Sequence, residues 1–143
     1  MPGEISIPID RERLAAISDR FGVRLAVLYG SHARRRPPPG PESDVDIAVL
    51  GCPRDRFWEY FRTLSDIAGH TETDLVRLED ADALFRYEIM QQAVLLYGDP
   101  DIFCEYRAFA FRDFTDSADL FALERALFQK KMAHLRAALH DSP

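Results

Sequence analysis

The chain has 143 residues, enough to bury one core of its own and too few for several domains. Its 47% hydrophobic and 29% charged residues are ordinary for a water-soluble globular protein, and no apolar run approaches the length that crosses a bilayer. A net charge of −6 argues against a general nucleic-acid binder, which carries a basic face, although Arg34, Arg35 and Arg36 stand in a row. Cys52 and Cys104 lie far apart, with no metal-ligand spacing and no disulfide framework around them. The first residues include an early acid and no apolar signal-peptide segment, so the expected location is the cytoplasm, away from membranes.

In chain order, Leu14, Ile17 and Phe21 have helical spacing, with Asp10 placed as N-cap and Gly22 as stop. The run "VRLAVLYG" reads as a buried strand, after which Ser31 opens a short helix through "SHARR" that the prolines at 37–39 end. "DVDIAVL" is a second strand. Phe57, Phe61, Leu64 and Ile67 mark a helix, on which Trp58 is expected in the core and Tyr60 on the surface. "TDLVRL" predicts a third strand, "DADALFRYEIMQQA" a third long helix and "VLLYG" a short fourth strand. From Ile102 to about His140 the pattern is helical, with a break expected in "DFTDSAD" and a last helix starting at Ser117. Strands mixed with helices and no internal repeat give an α/β (α+β) fold: one domain, with a core over about 10–98 and a helical tail over about 101–140.

Residues two apart on a strand share a face, so Asp44 and Asp46 project together while Val45 and Ile47 pack behind them. Paired carboxylates repel and raise each other's pKa, and a divalent cation is the usual reason a fold keeps them. One or two carboxylates plus substrate phosphates is the normal Mg²⁺ arrangement. A third acid allows two ions to flank an in-line phosphoryl or nucleotidyl transfer. Asp74, heading the third strand, is placed for this, and Glu72 two residues earlier competes for the role. Gly30 lets the backbone approach a ligand closely at the strand-to-helix turn. The Ser31 hydroxyl and the N–H groups of the following helix then suit phosphate oxygens.

Together, "LYGSHAR", "SDVDIAV" and "TDLVRL" resemble the signature of the nucleotidyltransferase superfamily that includes DNA polymerase beta. At this chain length the likeness is to the minimal nucleotidyltransferases (MNT type), antitoxin partners of HEPN-domain toxins. The resemblance implies a small mixed sheet flanked by helices. It implies phosphate contacts at Gly30 and Ser31, Mg²⁺ held by Asp44, Asp46 and Asp74, and ATP as nucleotide donor. It further implies AMP transfer to a tyrosine of a HEPN partner, silencing it. Arg34 is the candidate to neutralise charge on the leaving group. The chain departs from the family where Arg35, rather than Gly, follows "GSHAR" and where Ala93 replaces a frequent Gly.

The tail carries Phe103, Tyr106, Phe109, Phe111, Phe114, Phe121 and Phe128. The simpler expectation is that these pack helices onto the sheet; the alternative is that some dock a partner protein, which would also bring the acceptor hydroxyl. His32, His70, His134 and His140 show no convergent spacing and read as surface or loop residues. Two other functions remain in play: a purely steric antitoxin that needs no catalysis, and a nucleotidyltransferase for small molecules.

Overall fold

The computed structural model describes residues 7, 9–34, 44–69 and 71–140. Arg35, Arg36, the prolines at 37–39 and His70 lie outside the described residues. Helix α1 (Arg11–Phe21) starts where the Asp10 carboxylate accepts from the N–H groups of Glu12 at 2.9 Å and Arg13 at 3.3 Å. It stops at Gly22, whose φ of 74° closes the helix in the left-handed conformation. Strand β1 (Leu25–Tyr29) leads through Gly30 into α2 (Ser31–Arg34), a single turn. Strand β2 (Val45–Leu50), helix α3 (Phe57–Ala68), strand β3 (Thr73–Arg77), helix α4 (Ala83–Gln92) and strand β4 (Val94–Gly98) follow, before helix α5 (Pro100–His140).

The sheet order is β3-β2-β1-β4. Strand β1 lies antiparallel to both β2 and β4, whereas β2 and β3 run parallel through the crossover helix α3, so the sheet is mixed as predicted. Alternating side chains divide the core into two layers. Ala26, Leu28, Val45, Ile47, Val49 and Leu75 pack against α1 and α3 on one face. Leu25, Val27 and Ala48 pack on the other against Ile89 and Met90 of α4 and Phe103 and Ala110 of α5. The α4–α5 junction is tied by Arg107, which donates to the carbonyls of Met90 and Ala93 at 3.0 and 2.9 Å.

Two expectations are corrected. Tyr60 is fully buried while Trp58 is 71% exposed, the reverse of the sequence reading. The side of α3 that meets α1 runs through Tyr60, Leu64 and Ala68, and the Tyr60 hydroxyl is hydrogen-bonded to Ser18 of α1 at 2.8 Å. A buried tyrosine is tolerable once its hydroxyl has a partner, and that partner lies 42 residues away in sequence.

Secondly, α5 runs unbroken for 41 residues through "DFTDSAD". Those residues are weak helix formers, but no Gly or Pro occurs between Asp101 and Ser142 to force a break. Their side chains also find helix-compatible partners. Asp113 takes Arg86 of α4 at 3.3 Å, and the Thr115 hydroxyl donates back to the Phe111 carbonyl at 3.0 Å. No helix among the described residues is long and apolar enough to cross a membrane.

Candidate active site

Three strands end side by side at one edge of the site. The register sets Asp46 opposite Tyr29 of β1 on one side and Asp74 of β3 on the other. Neighbouring strands are spaced about 4.8 Å apart, so the three side chains form a row across the sheet. By alternation they share the face of Val27, Ala48 and Val76, the face covered by α4 and α5. Tyr29 still packs with that apolar layer, while the two acids are less covered: Asp46 is half-buried and Asp74 exposed. Strand geometry thus turns a run that is otherwise core into a wet end with two acids.

Gly30 closes the row from above. Its φ is 76°, and a Cβ added there would collide with the Asp46 carboxylate. Only a residue without a side chain lets the turn lie directly on that carboxylate. Ser31 follows at the start of α2, and the Gly30 carbonyl accepts from Ala33 and Arg34 at 3.1 and 3.0 Å. Because α2 is one turn long, its macrodipole is slight. The expected anion contacts therefore fall to the Ser31 hydroxyl and individual N–H groups of the turn rather than to a helix end.

The electrostatics follow from this crowding. Burial raises the Asp46 pKa above its ordinary 3.8, and the charges of Asp74 and then Asp44 raise it further. His32 and Arg34 pull in the opposite direction. Tyr29 is pushed up to about 12 by burial, with the Asp46 and Asp74 charges adding to it. The local field is therefore strongly negative, which is the field a cation would relieve.

Of the residues singled out in the sequence, Gly30, Asp46 and Asp74 are brought into contact or direct register, and Ser31 follows Gly30 in the same turn. Asp44 precedes β2 by one residue and acts on Asp46 through its charge. Arg34 is exposed, and its charge reaches Asp46. Glu72 is exposed and gives its backbone carbonyl to the Val45 N–H at 2.9 Å, two residues before Asp74, the register position opposite Asp46.

Two residues were missed. Tyr29 closes a strand in the sequence pattern, and its place opposite Asp46 depends on a pairing between segments too far apart in sequence for the register to be fixed locally. His32 was read as a surface residue, yet its charge acts on Asp46. Its position directly after Gly30-Ser31 was the available signal.

Among the described residues, no three His, Cys, Asp or Glu side chains form a ready-made metal cage. The donor set nonetheless fits Mg²⁺. That ion dehydrates reluctantly, keeps waters, and is usually held by one or two carboxylates together with substrate phosphates. Asp46 and Asp74, paired in register under a glycine turn, supply such a partial set.

A family model described as polymerase beta, nucleotidyltransferase matches residues 12–101, which contain this whole arrangement. The chain belongs to the polymerase beta nucleotidyltransferase family. As a member of that family it is a nucleotidyltransferase. No curated protein matches it.

Among solved structures it is similar to a toxin–antitoxin complex with AMP-PNP, at 21% identity and a TM-score of 0.65, covering 87% of this chain and 99% of that one. It is similar to the toxin–antitoxin MntA-HepT, at 20% identity and a TM-score of 0.59, covering 85% of this chain and 96% of that one. A third is an MNT antitoxin in complex with a tri-AMPylated HEPN toxin from Shewanella oneidensis, at 20% identity and a TM-score of 0.59, covering 85% and 95% of the two chains. At these identities the likeness is one of fold, and it extends beyond the family match into α5.

Proposed function

We propose that this nucleotidyltransferase is an antitoxin that moves AMP from ATP, with Mg²⁺, onto a hydroxyl of a HEPN-domain toxin, a tyrosine in the simplest case, and thereby silences it in the cytoplasm. The observation that carries the reading is the pairing of Asp46 with Asp74 beneath the Gly30 turn, inside a family match that spans most of the chain. The fold-level likeness to complexes of MNT antitoxins with HEPN toxins supports the partner, and the AMPylated toxin among them supports the chemistry.

In this scheme the Ser31 hydroxyl and the turn N–H groups hold the β and γ phosphates of ATP. Asp44, Asp46 and Asp74 are the residues that would hold Mg²⁺, which when bound neutralises phosphate charge and favours the attacking alkoxide. Asp74, the second residue of β3, lies on the exposed side of the row, where an incoming hydroxyl can approach, and the register favours it over Glu72 for the third carboxylate. The acceptor oxygen forms a bond to the α-phosphorus as the bond to pyrophosphate breaks, and the hydroxyl proton leaves by way of a carboxylate to water. Arg34, whose charge already reaches Asp46, offsets charge on the departing pyrophosphate. Tyr29 sits in the row as a neutral phenol that packs edge-on against Phe85 of α4, with ring centres 6.1 Å apart, and fixes the inner wall.

The test is label transfer. The chain, α-labelled ATP, Mg²⁺ and a HEPN-domain toxin are expected to give a labelled toxin band. Asp46→Asn and Asp74→Asn are expected to remove that band while leaving the circular dichroism spectrum intact. Surviving transfer in either variant contradicts the scheme.

A second reading draws on the exposed apolar surface of α5, which suits contact with another protein. A steric antitoxin would protect cells equally well with Asp46→Asn, whereas the catalytic reading predicts loss of protection.

A further inference from the structure

Only Phe103 and Ala110 of α5 are buried, and the helix continues well past the sheet they anchor to. Along it, apolar residues recur every seven positions in two lines. Phe114, Phe121, Phe128 and Leu135 form one; Phe111, Ala118, Met132 and Leu139 form the other, interrupted by Arg125. This is the a/d pattern of a helix-pairing seam.

Its proximal end already serves as one within the chain. Tyr87 of α4 stacks on Phe114 with ring centres 4.3 Å apart and meets Phe111 at 6.0 Å. The same seam then runs on beyond the start of α4 at Ala83, where Phe121, Phe128, Leu135 and Leu139 are exposed. Leu120, Leu123 and Leu127 form a second exposed line, but it ends at Lys130 and Lys131, whereas the heptad line continues to Leu139.

We propose that two copies of this chain associate through the distal halves of α5, laid antiparallel along this seam. Charge selects both the occupant and its direction. With Arg125 set against Phe128 of the second copy, Met132 falls opposite Phe121 and Ala118 opposite Leu135, so each layer joins a large side chain to a smaller or more flexible one. The Arg125 guanidinium then lies on an aromatic ring, a favourable cation–π arrangement.

The flanking positions place Glu124 of each copy beside Lys131 of the other, giving two complementary pairs related by the twofold axis. A parallel pair does the opposite: it sets Arg125 against Arg125 and Lys131 beside Arg136. The antiparallel arrangement holds the two nucleotidyltransferase sites at opposite ends of a helix pair, separated by at least the ~30 Å that some 20 helical residues span. Two such sites would face two acceptor chains at once.

The test is the mass in solution of the full chain by analytical ultracentrifugation, at micromolar concentration and low salt. The wild type is expected to be a dimer. Glu124→Lys and Lys131→Glu are each expected to weaken dimerisation at least tenfold when alone, because every cross-copy pair becomes like-charged. An equimolar mixture of the two variants is expected to recover the dimer, because both cross-copy pairs are then opposite in charge.

Phe128→Glu is expected to be monomeric. Both charge positions are exposed, so neither reversal disturbs the core. A monomeric wild type overturns the proposal and assigns the seam to a different protein. A dimer insensitive to the single reversals, or a mixture that stays monomeric, also overturns it.

Discussion

The two ends of α5 differ sharply in what covers them. Near the sheet, Phe103 and Ala110 are buried with Leu25, Val27 and Met90, and the helix is held by Arg107 and by the Arg86–Asp113 pair. Past Ser117 the same helix keeps its apolar residues but has no sheet beneath it, and Phe128 is 63% exposed. Composition does not separate the two halves; what separates them is whether another element of the chain reaches that far. An aromatic stripe of one type thus serves as core in one half and as surface in the other.

The comparison breaks most sharply under truncation of buried side chains. Phe103→Ala is expected to lower stability by about 3–5 kcal/mol, read by urea denaturation, because it opens a cavity between α5 and the sheet. Leu123→Ala, on the exposed line of the distal half, is expected to change stability by less than about 0.5 kcal/mol. Equal losses at the two positions would mean that the distal half is packed within the chain.

Gly30→Ala acts at the site end. It forces a side chain onto a left-handed backbone position and into the Asp46 carboxylate, so a loss of about 1–3 kcal/mol is expected. Activity should fall further than stability alone explains, because the turn must move off Asp46. Next in size is Tyr60→Phe, which strands the buried Ser18 hydroxyl and is expected to cost about 1 kcal/mol.

The smallest effect has a sign that depends on pH. Asp46 has a raised pKa in the folded chain, so its contribution to stability is fully present below the ordinary value of 3.8 and is lost as pH rises through the folded pKa. Without metal, Asp46→Asn is therefore expected to raise Tm at pH 7 and to leave it unchanged near pH 3. Added Mg²⁺ should stabilise the wild type and not this variant, by mass action on the folded state.

Much of this molecule is readable from local chemistry. Asp10 and Gly22 bound α1 because caps act within a few residues, and the apolar runs beginning at Leu25, Val45 and Val94 are strands because little else suits them. Gly30, Asp46 and Asp74 stand out together since each breaks an apolar pattern at its edge. What was not readable depends on partners distant in sequence. Tyr60 is buried because Ser18 meets its hydroxyl, and Trp58 is exposed because α1 lies on the other side of α3. Tyr29 joins the acids through a register that no local pattern fixes. The expected break in α5 failed for a related reason: Asp113 and Thr115 weaken an isolated helix, but here Arg86 and a backbone carbonyl occupy them.

The most direct measurement is transfer of label from α-labelled ATP to the proposed acceptor, a HEPN-domain toxin, by wild type and by Asp46→Asn, at equal concentration and with folding checked in both. The account predicts a labelled toxin with the wild type and a loss of at least about a hundredfold with the variant, the scale on which removing a group that stabilises transition-state charge acts. Equal labelling by the two proteins would contradict it.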